Sequence, residues 1–224
     1  MSWFKSLKSS FVVTVARWQD QRFLWIFMAV VMICFVLLAQ IFFQSYLYMK
    51  PCEQCVYIRF AMLVIALGGL ISSINPKNLV CKISGYILAF YGAVIGIGYS
   101  QKLHKFHKAV HSDDPLAIFG VQGCSLSPSY PFHLPLDKVA PKWFLPTGEC
   151  GYDAPIVPEE AKLDVVQSFF IDLYTQGWYL IPQFKFMDMS LCTLLVFVVT
   201  LVLLFVMIVC MFLVLFRDKL AKFH

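Results

Sequence analysis

Four cysteines and one arginine stand out by type and spacing. Pro51-Cys52-Glu53-Gln54-Cys55 is a C-x-x-C set just before a long apolar run, and Cys124 and Cys150 flank a Pro- and aromatic-rich segment further on. Two cysteines three apart at a helix start occupy neighbouring positions of its first turn. They are close enough to bridge, and the unpaired backbone N–H groups there stabilise a thiolate. On this pattern Cys55, the cysteine nearer the membrane, should gain most. Arg59 follows four residues later on the same helical face, about 6 Å deeper at 1.5 Å per residue. A guanidinium at that depth can pair with a thiolate or with the carbonyl oxygen of an apolar ligand such as a quinone. An arginine near a helix end also snorkels to lipid headgroups without chemical duty, so both readings stand on the residues alone.

The other cysteines read as packing. Cys34 and Cys210 fall inside apolar stretches, Cys81 lies at a turn, and Cys192 sits at the outer end of the last apolar run. For Cys124 and Cys150, spacing alone favours a structural disulfide, stabilising the loop by roughly 3–4 kcal/mol. A zinc site built from Cys52, Cys55, Cys124 and Cys150 lacks a second close pair and would face an oxidising compartment, so no metal is expected.

The elements that position these residues follow from composition. The chain has 224 residues, 60% hydrophobic and only 14% charged, with a mean hydropathy of +0.74. That balance suits a membrane protein and excludes disordered, collagenous and nucleic-acid-binding classes. Runs free of Asp, Glu, Lys and Arg cover 23–49, 60–76, 83–101 and 189–216, the second completed by extension back through Val56. Each is long enough to cross a hydrocarbon core about 30 Å thick, so four spans leave both termini on one side. That side carries Lys5, Lys8, Arg17, Arg22, Lys77, Lys82, Arg217, Lys219 and Lys222 against Asp20 and Asp218, which makes it cytoplasmic by the positive-inside rule. A cleaved signal peptide is not expected, because the first run is too long and no small-x-small site closes it.

The expected fold is an all-α membrane protein, a four-transmembrane-helix bundle with a large periplasmic loop carrying short helices. Residues 1–22 form an amphipathic cytoplasmic N-terminus, with Trp3, Phe4, Leu7, Phe11, Val15 and Trp18 on a lipid-facing side opposite Lys5 and Lys8. Residues 23–101 hold three spans and the short C-x-x-C loop, 102–188 the large loop, 189–216 the fourth span and 217–224 a tail. The large loop opens with Lys102, His104, Lys105, His107, Lys108 and His111, where Lys102, His107 and His111 read as a solvated basic face. Trp143 and Phe144 are expected to rest on the membrane surface. A helix is expected from Pro158-Glu159-Glu160 onward, laying Leu163, Val166, Phe169, Phe170 and Leu173 on membrane or protein.

Three strings in order between these spans resemble one family: Lys50-Pro51-Cys52-Glu53-Gln54-Cys55-Val56-Tyr57-Ile58-Arg59, then Pro135-Leu136-Asp137-Lys138-Val139-Ala140-Pro141, then Gly148-Glu149-Cys150. They are similar to the DsbB family of bacterial inner-membrane disulfide-generating proteins, closest to its DsbI branch. The resemblance implies a quinone-dependent protein dithiol oxidoreductase in the bacterial inner membrane. In it, a periplasmic thioredoxin-fold oxidase, DsbL- or DsbA-like, would attack Cys124. Cys150 would exchange with Cys52, and Cys55 would face ubiquinone or menaquinone. Arg59 matches the family arginine at the quinone, and His104 stands near a family histidine there. Ile58 replaces a common acid, Glu53 and Gln54 fill an often apolar C-x-x-C interior, and the stretch 152–176 is extra, as suits a dedicated partner. Two alternatives differ in testable ways. A vitamin K epoxide reductase type would carry its C-x-x-C near the later helices, and a tetraspanin-like four-span scaffold would have no use for Arg59.

Overall fold

The computed structural model describes residues 11–112 and 124–222, with side chains described as far as Phe216. The expectation for Trp3, Phe4, Leu7, Lys5 and Lys8 lies outside these residues, while 11–18 are helical with Phe11 and Trp18 exposed. Helix α1 is Arg22–Leu37 and runs on without a break into a π-helical stretch, Leu38–Tyr46. Helix α2 is Glu53–Ile74 and α3 is Leu79–Val110. The loop contributes a 3-10 turn at Pro131–His133, then α4 (Leu136–Val139), α5 (Pro141–Phe144) and α6 (Val165–Leu173). A hairpin of β1 (Tyr179–Ile181) and β2 (Phe186–Asp188) leads into α7, Met189–Lys222. Four of these helices are long and apolar enough to cross a membrane, so the chain is an all-α, four-span protein apart from this hairpin.

Helix α2 is the central element. Ile58, Ala61, Met62, Ile65 and Ala66 are buried on it, whereas α1, α3 and α7 also expose Phe27, Ile87 and Phe205 to the surroundings. Its approach to α3 depends on small residues: a Cβ on Gly68 would lie 2.6 Å from the Gly85 carbonyl oxygen. Close backbone contact of this kind drives helix association where lipid is as apolar as the side chains. At the end that holds the chain termini, a buried polar knot fixes the bundle. Gln19 donates through Nε2 to the Met207 carbonyl at 2.6 Å and accepts from the Tyr86 hydroxyl at 2.9 Å, and Trp25 Nε1 donates to the Gln19 carbonyl. Lys82 pairs with Asp20 beside it at 2.5 Å.

Three expectations need correction. Helix α3 continues beyond residue 101, because Lys102, Lys105 and Lys108 project outward while Leu103 and His107 turn inward, so charge marks its amphipathic end rather than its stop. The acidic stretch does not open a helix at Pro158; a turn closes there, with Ala161 N–H on the Pro158 carbonyl, and α6 starts at Val165. Its inward face is Gln167, Phe170 and Ile171, and Val166 and Phe169 are exposed. Phe170 meets Phe42 edge-on and Gln167 Nε2 donates to the Tyr46 carbonyl at 2.6 Å, so the extra segment packs on the π-helical stretch of α1. The hairpin, with Tyr179 opposite Asp188 and Ile181 opposite Phe186, was not foreseen as strands.

The tight α2–α3 contact makes a prediction. Gly68→Leu should destabilise the protein by about 1–3 kcal/mol through overpacking, while Leu67→Ala, on an exposed face, should stay within about 0.5 kcal/mol. Thermal melting in detergent distinguishes them; equal Tm values would contradict the packing.

Candidate active site

Cys52 and Cys55 are disulfide-bonded with Cα atoms 5.0 Å apart, and Cys124 and Cys150 likewise at 5.8 Å. Both separations suit a bridge. The helix start differs from expectation in one respect. Cys52 is the N-cap of α2 and its Sγ accepts the Cys55 N–H at 3.2 Å, so the cap amide serves Cys52 rather than Cys55.

The loop closes over this pair through short backbone contacts. Thr147 and Gly148 donate their N–H groups to the Pro51 carbonyl at 2.9 and 3.0 Å. Only glycine fits at 148, since a Cβ there would lie 2.7 Å from the Lys50 carbonyl oxygen. On the other side Ser125 N–H donates to Glu53 Oε2 at 2.8 Å, Tyr57 hydroxyl donates to Glu53 Oε1 at 3.0 Å, and Ser129 N–H donates to the Tyr57 oxygen at 2.7 Å. Glu53, the departure inside the C-x-x-C, is therefore the anchor for the segment that carries Cys124. As a result Cys52 and Cys150 are buried in one cluster, with Cys55 and Cys124 packed against it.

Arg59 is buried within α2. Its Nη1 donates to Gln40 Oε1 at 2.7 Å, Gln44 Oε1 at 2.8 Å and the Trp143 carbonyl at 3.3 Å. Gln40 and Gln44 each donate through Nε2 to the Lys142 carbonyl, at 3.0 and 3.3 Å. The π-helical stretch presents both glutamines to the same guanidinium, and α5 supplies the carbonyls from above. Trp143 and Phe144 thus do not rest free on a membrane surface; Phe144 is buried and Trp143 packs against the cysteine cluster. Among the described residues no carboxylate pairs with Arg59. Its hydrogen bonds go to neutral oxygens, which solvate the charge without cancelling it.

Cys55 and Arg59 line one apolar cavity of about 370 Å³. Its walls come from α1 (Phe35, Leu38), α2 (Ile58, Met62) and α7 (Thr193, Val196), and its roof from Trp178, Leu180 and Met187 around the hairpin. Leu38, Leu180 and Leu195 at its margin are exposed, so it opens toward the lipid-facing surface. An apolar space of this size, bordered by the Cys52–Cys55 disulfide and by a cation with no carboxylate partner among the described residues, fits the head group of a quinone. Cys192 also borders it, which its position in sequence did not suggest.

The histidines sit elsewhere. His104 does not line that cavity; its Nδ1 faces Asp188 Oδ2 and Ser190 Oγ, both at 3.2 Å. His107, read as part of a solvated face, is buried, while Lys102 and His111 are exposed as expected. Burial alone would raise the Asp188 carboxyl. Hydrogen bonds from Ser190 Oγ and Leu191 N–H, with His107 and His104 nearby, outweigh it and hold Asp188 below the usual carboxylate range. Gln40, Gln44, Tyr57, Asp153 and Asp188 were not singled out from sequence. The one available signal was the Gln-x-x-x-Gln spacing inside an apolar run, where polar groups are costly unless they have a task.

Comparison with known proteins agrees with this geometry. The family described as "Disulfide bond formation protein DsbB" matches residues 21–210. The protein-disulfide oxidoreductase DsbI of Salmonella typhimurium is 55% identical over 206 residues, covering 91% of this chain and 92% of its own. The protein of that name from Escherichia coli strain 536 is 53% identical with the same coverage, and a relative from Campylobacter fetus is 56% identical over 94% of this chain and 96% of its own. With the family matched from α1 to α7 and both cysteine pairs gathered above an arginine-bearing span, the chain belongs to the DsbB family, in its DsbI branch, and is a multi-pass membrane protein-disulfide oxidoreductase.

Proposed function

We propose that this protein reoxidises a periplasmic thioredoxin-fold dithiol oxidase, DsbL- or DsbA-like, and passes the electrons through its two cysteine pairs to a membrane quinone, ubiquinone or menaquinone. The observation that carries this reading is the cavity shared by Cys55 and Arg59 directly below a loop disulfide docked on the C-x-x-C. The distribution of Lys and Arg supports an inner-membrane orientation with both termini cytoplasmic.

Exposure supports the order of exchange. Cys150 is buried whereas Cys124 is partly exposed beside exposed Ser125 and Leu126, so an incoming thiolate reaches Cys124 first. Attack there forms a mixed disulfide and releases Cys150 as a thiolate, which attacks Cys52 and releases Cys55 as a thiolate at the cavity. Arg59 favours negative charge at that sulfur and at any oxygen held beside it. A quinone bound in the cavity supplies a two-electron, two-proton acceptor. Trp178, Leu180 and Met187 form the apolar roof of this cavity. A second apolar cavity of about 390 Å³ between α1 and α7 shares Leu195 and Val196 with the first, which gives an isoprenoid tail an apolar path.

Two predictions follow from the arrangement. In detergent, with a reduced thioredoxin-fold oxidase as donor, quinone reduction followed optically should be lost in Cys55→Ala and Cys124→Ala, and Arg59→Ala should lower kcat/KM about 100-fold. Turnover by the Cys124→Ala protein would refute the two-pair route. Gln40→Ala combined with Gln44→Ala removes two hydrogen bonds to a charged group, each worth about 1.5–3 kcal/mol. It should raise the quinone KM at least about tenfold, and an unchanged KM would show that Arg59 does not need their support.

A further inference from the structure

A second, much smaller cavity borders the same disulfide. It measures about 20 Å³ and is lined by Cys52 and Cys55 together with His107, Asp153, Glu149 and Ser190. A space of that size, with polar groups of His107, Asp153 and Glu149 at its border, accommodates one water molecule. Four elements converge on it. Cys52 and Cys55 come from the start of α2, His107 from α3, Asp153 from the turn after Cys150, and Ser190 from the start of α7.

His107 is buried there, with Nε2 3.4 Å from the Tyr179 hydroxyl and 3.9 Å from Asp188 Oδ2. Its ring stacks at 4.1 Å on that of His111, which is exposed, and partly exposed His104 reaches the same Asp188 carboxylate. Asp153 Oδ1 is buried and has no hydrogen-bond partner among the described residues. The backbone closes on it, since a Cβ on Gly177, at φ +102°, would lie 2.8 Å from that oxygen. Burial pushes the Asp153 carboxyl up, opposed by His107, the Trp178 N–H and His111. Lys50 and Tyr152 complete the charged and titratable groups around the space. A buried oxygen without a partner is costly unless a water or a proton serves it.

We propose that His107 and Asp153 form the proton-accepting site of the C-x-x-C dithiol, acting through a water in this cavity. The inference deepens the reading under Proposed function and rests on it for the fate of the electrons. In the reduced chain Cys52 is a thiol and Cys55 a thiolate beside Arg59. When their S–S bond re-forms, the Cys52 S–H bond breaks and the two electrons would pass to the quinone. The Cys52 proton passes through the water to His107 or Asp153 and on to solvent at His104 and His111. Two protons taken up from solvent complete the quinol, balancing the one Cys52 gives up here and the one lost when Cys55 became a thiolate. Cys52 requires such a base because it is buried, and its sulfur must attack that of Cys55 to close the bond.

The test uses the full chain with His107→Gln and Asp153→Asn. In reduced, quinone-free protein, the Cys52 thiolate is titrated by its ultraviolet absorbance as the difference from Cys52→Ala. Asp153→Asn should move that titration to lower pH, by loss of an anion, while His107→Gln should leave it in place, because burial holds that imidazole neutral. A merely structural disturbance would not separate the two variants in this way. In single turnovers with quinone near pH 6.5, each variant should be about 100-fold slower than the parent, the deficit shrinking as pH rises and the thiol ionises by itself. Should His107→Gln fail to fold, Asp153→Asn decides alone. Unchanged titration and unchanged pH–rate profiles would overturn the proposal while quinone reduction by the parent stands. If the parent reduces no quinone, the reading above fails, and the titration shifts still decide the proton site.

Discussion

The structure depends on placing one guanidinium inside an apolar helix with no counter-ion among the described residues. A buried charge in a membrane span is costly and must be solvated by the protein. Here Gln40, Gln44 and the Trp143 carbonyl do so with neutral oxygens, which leaves the positive field of Arg59 directed at whatever shares its cavity. Several otherwise separate features follow from that need. The lower half of the requirement is met by the π-helical stretch of α1, a form of helix often found at functional sites. The upper half is met by α5, whose carbonyls reach both the glutamines and Arg59.

Bringing α5 down has a consequence for the cysteines. The chain leaving α5 reaches Thr147 and Gly148 within a few residues, where it hydrogen-bonds to Pro51, and Cys150 follows two residues later beside Cys52. The same interaction that solvates the arginine thus draws the second cysteine pair onto the first. The loop is held by single hydrogen bonds, each worth about 0.5–1.5 kcal/mol net, and by the packing of Tyr130 and Phe144 on Val56, Tyr57 and Phe60. The extra stretch 152–176 and the residues that follow it add to this by packing Phe170 and Trp178 on Phe42 and Phe43, which supports the stretch that bears the glutamines.

Much of this was legible in the sequence, and the rest was hidden for physical reasons. Charge-free runs and the placement of Lys and Arg gave the spans, and the C-x-x-C with Arg59 one turn on gave the heart of the site. Gln40 and Gln44 were passed over because uncharged polar residues are tolerated in an apolar run, and only a partner across the bundle gives them meaning. His107 looked solvated because its neighbours on the chain are lysines, yet helical geometry turns it inward toward Tyr179 and Asp188. On α6, Val166 and Phe169 are exposed and as apolar as the residues it buries, so the pattern alone does not say which of them face protein. Glu53 looked like a departure from a pattern and is instead an anchor, since its hydrogen bond to Ser125 joins positions far apart in the chain.

Loop docking gathers the two cysteine pairs into one cluster, and trapping tests most directly whether they exchange. In a protein carrying Cys55→Ala and Cys124→Ala, Cys52 and Cys150 lose their own partners. The non-reduced peptide map should then show a Cys52–Cys150 disulfide formed in the membrane without added cross-linker. Finding both thiols free, or each bonded to a small thiol instead, would contradict the account.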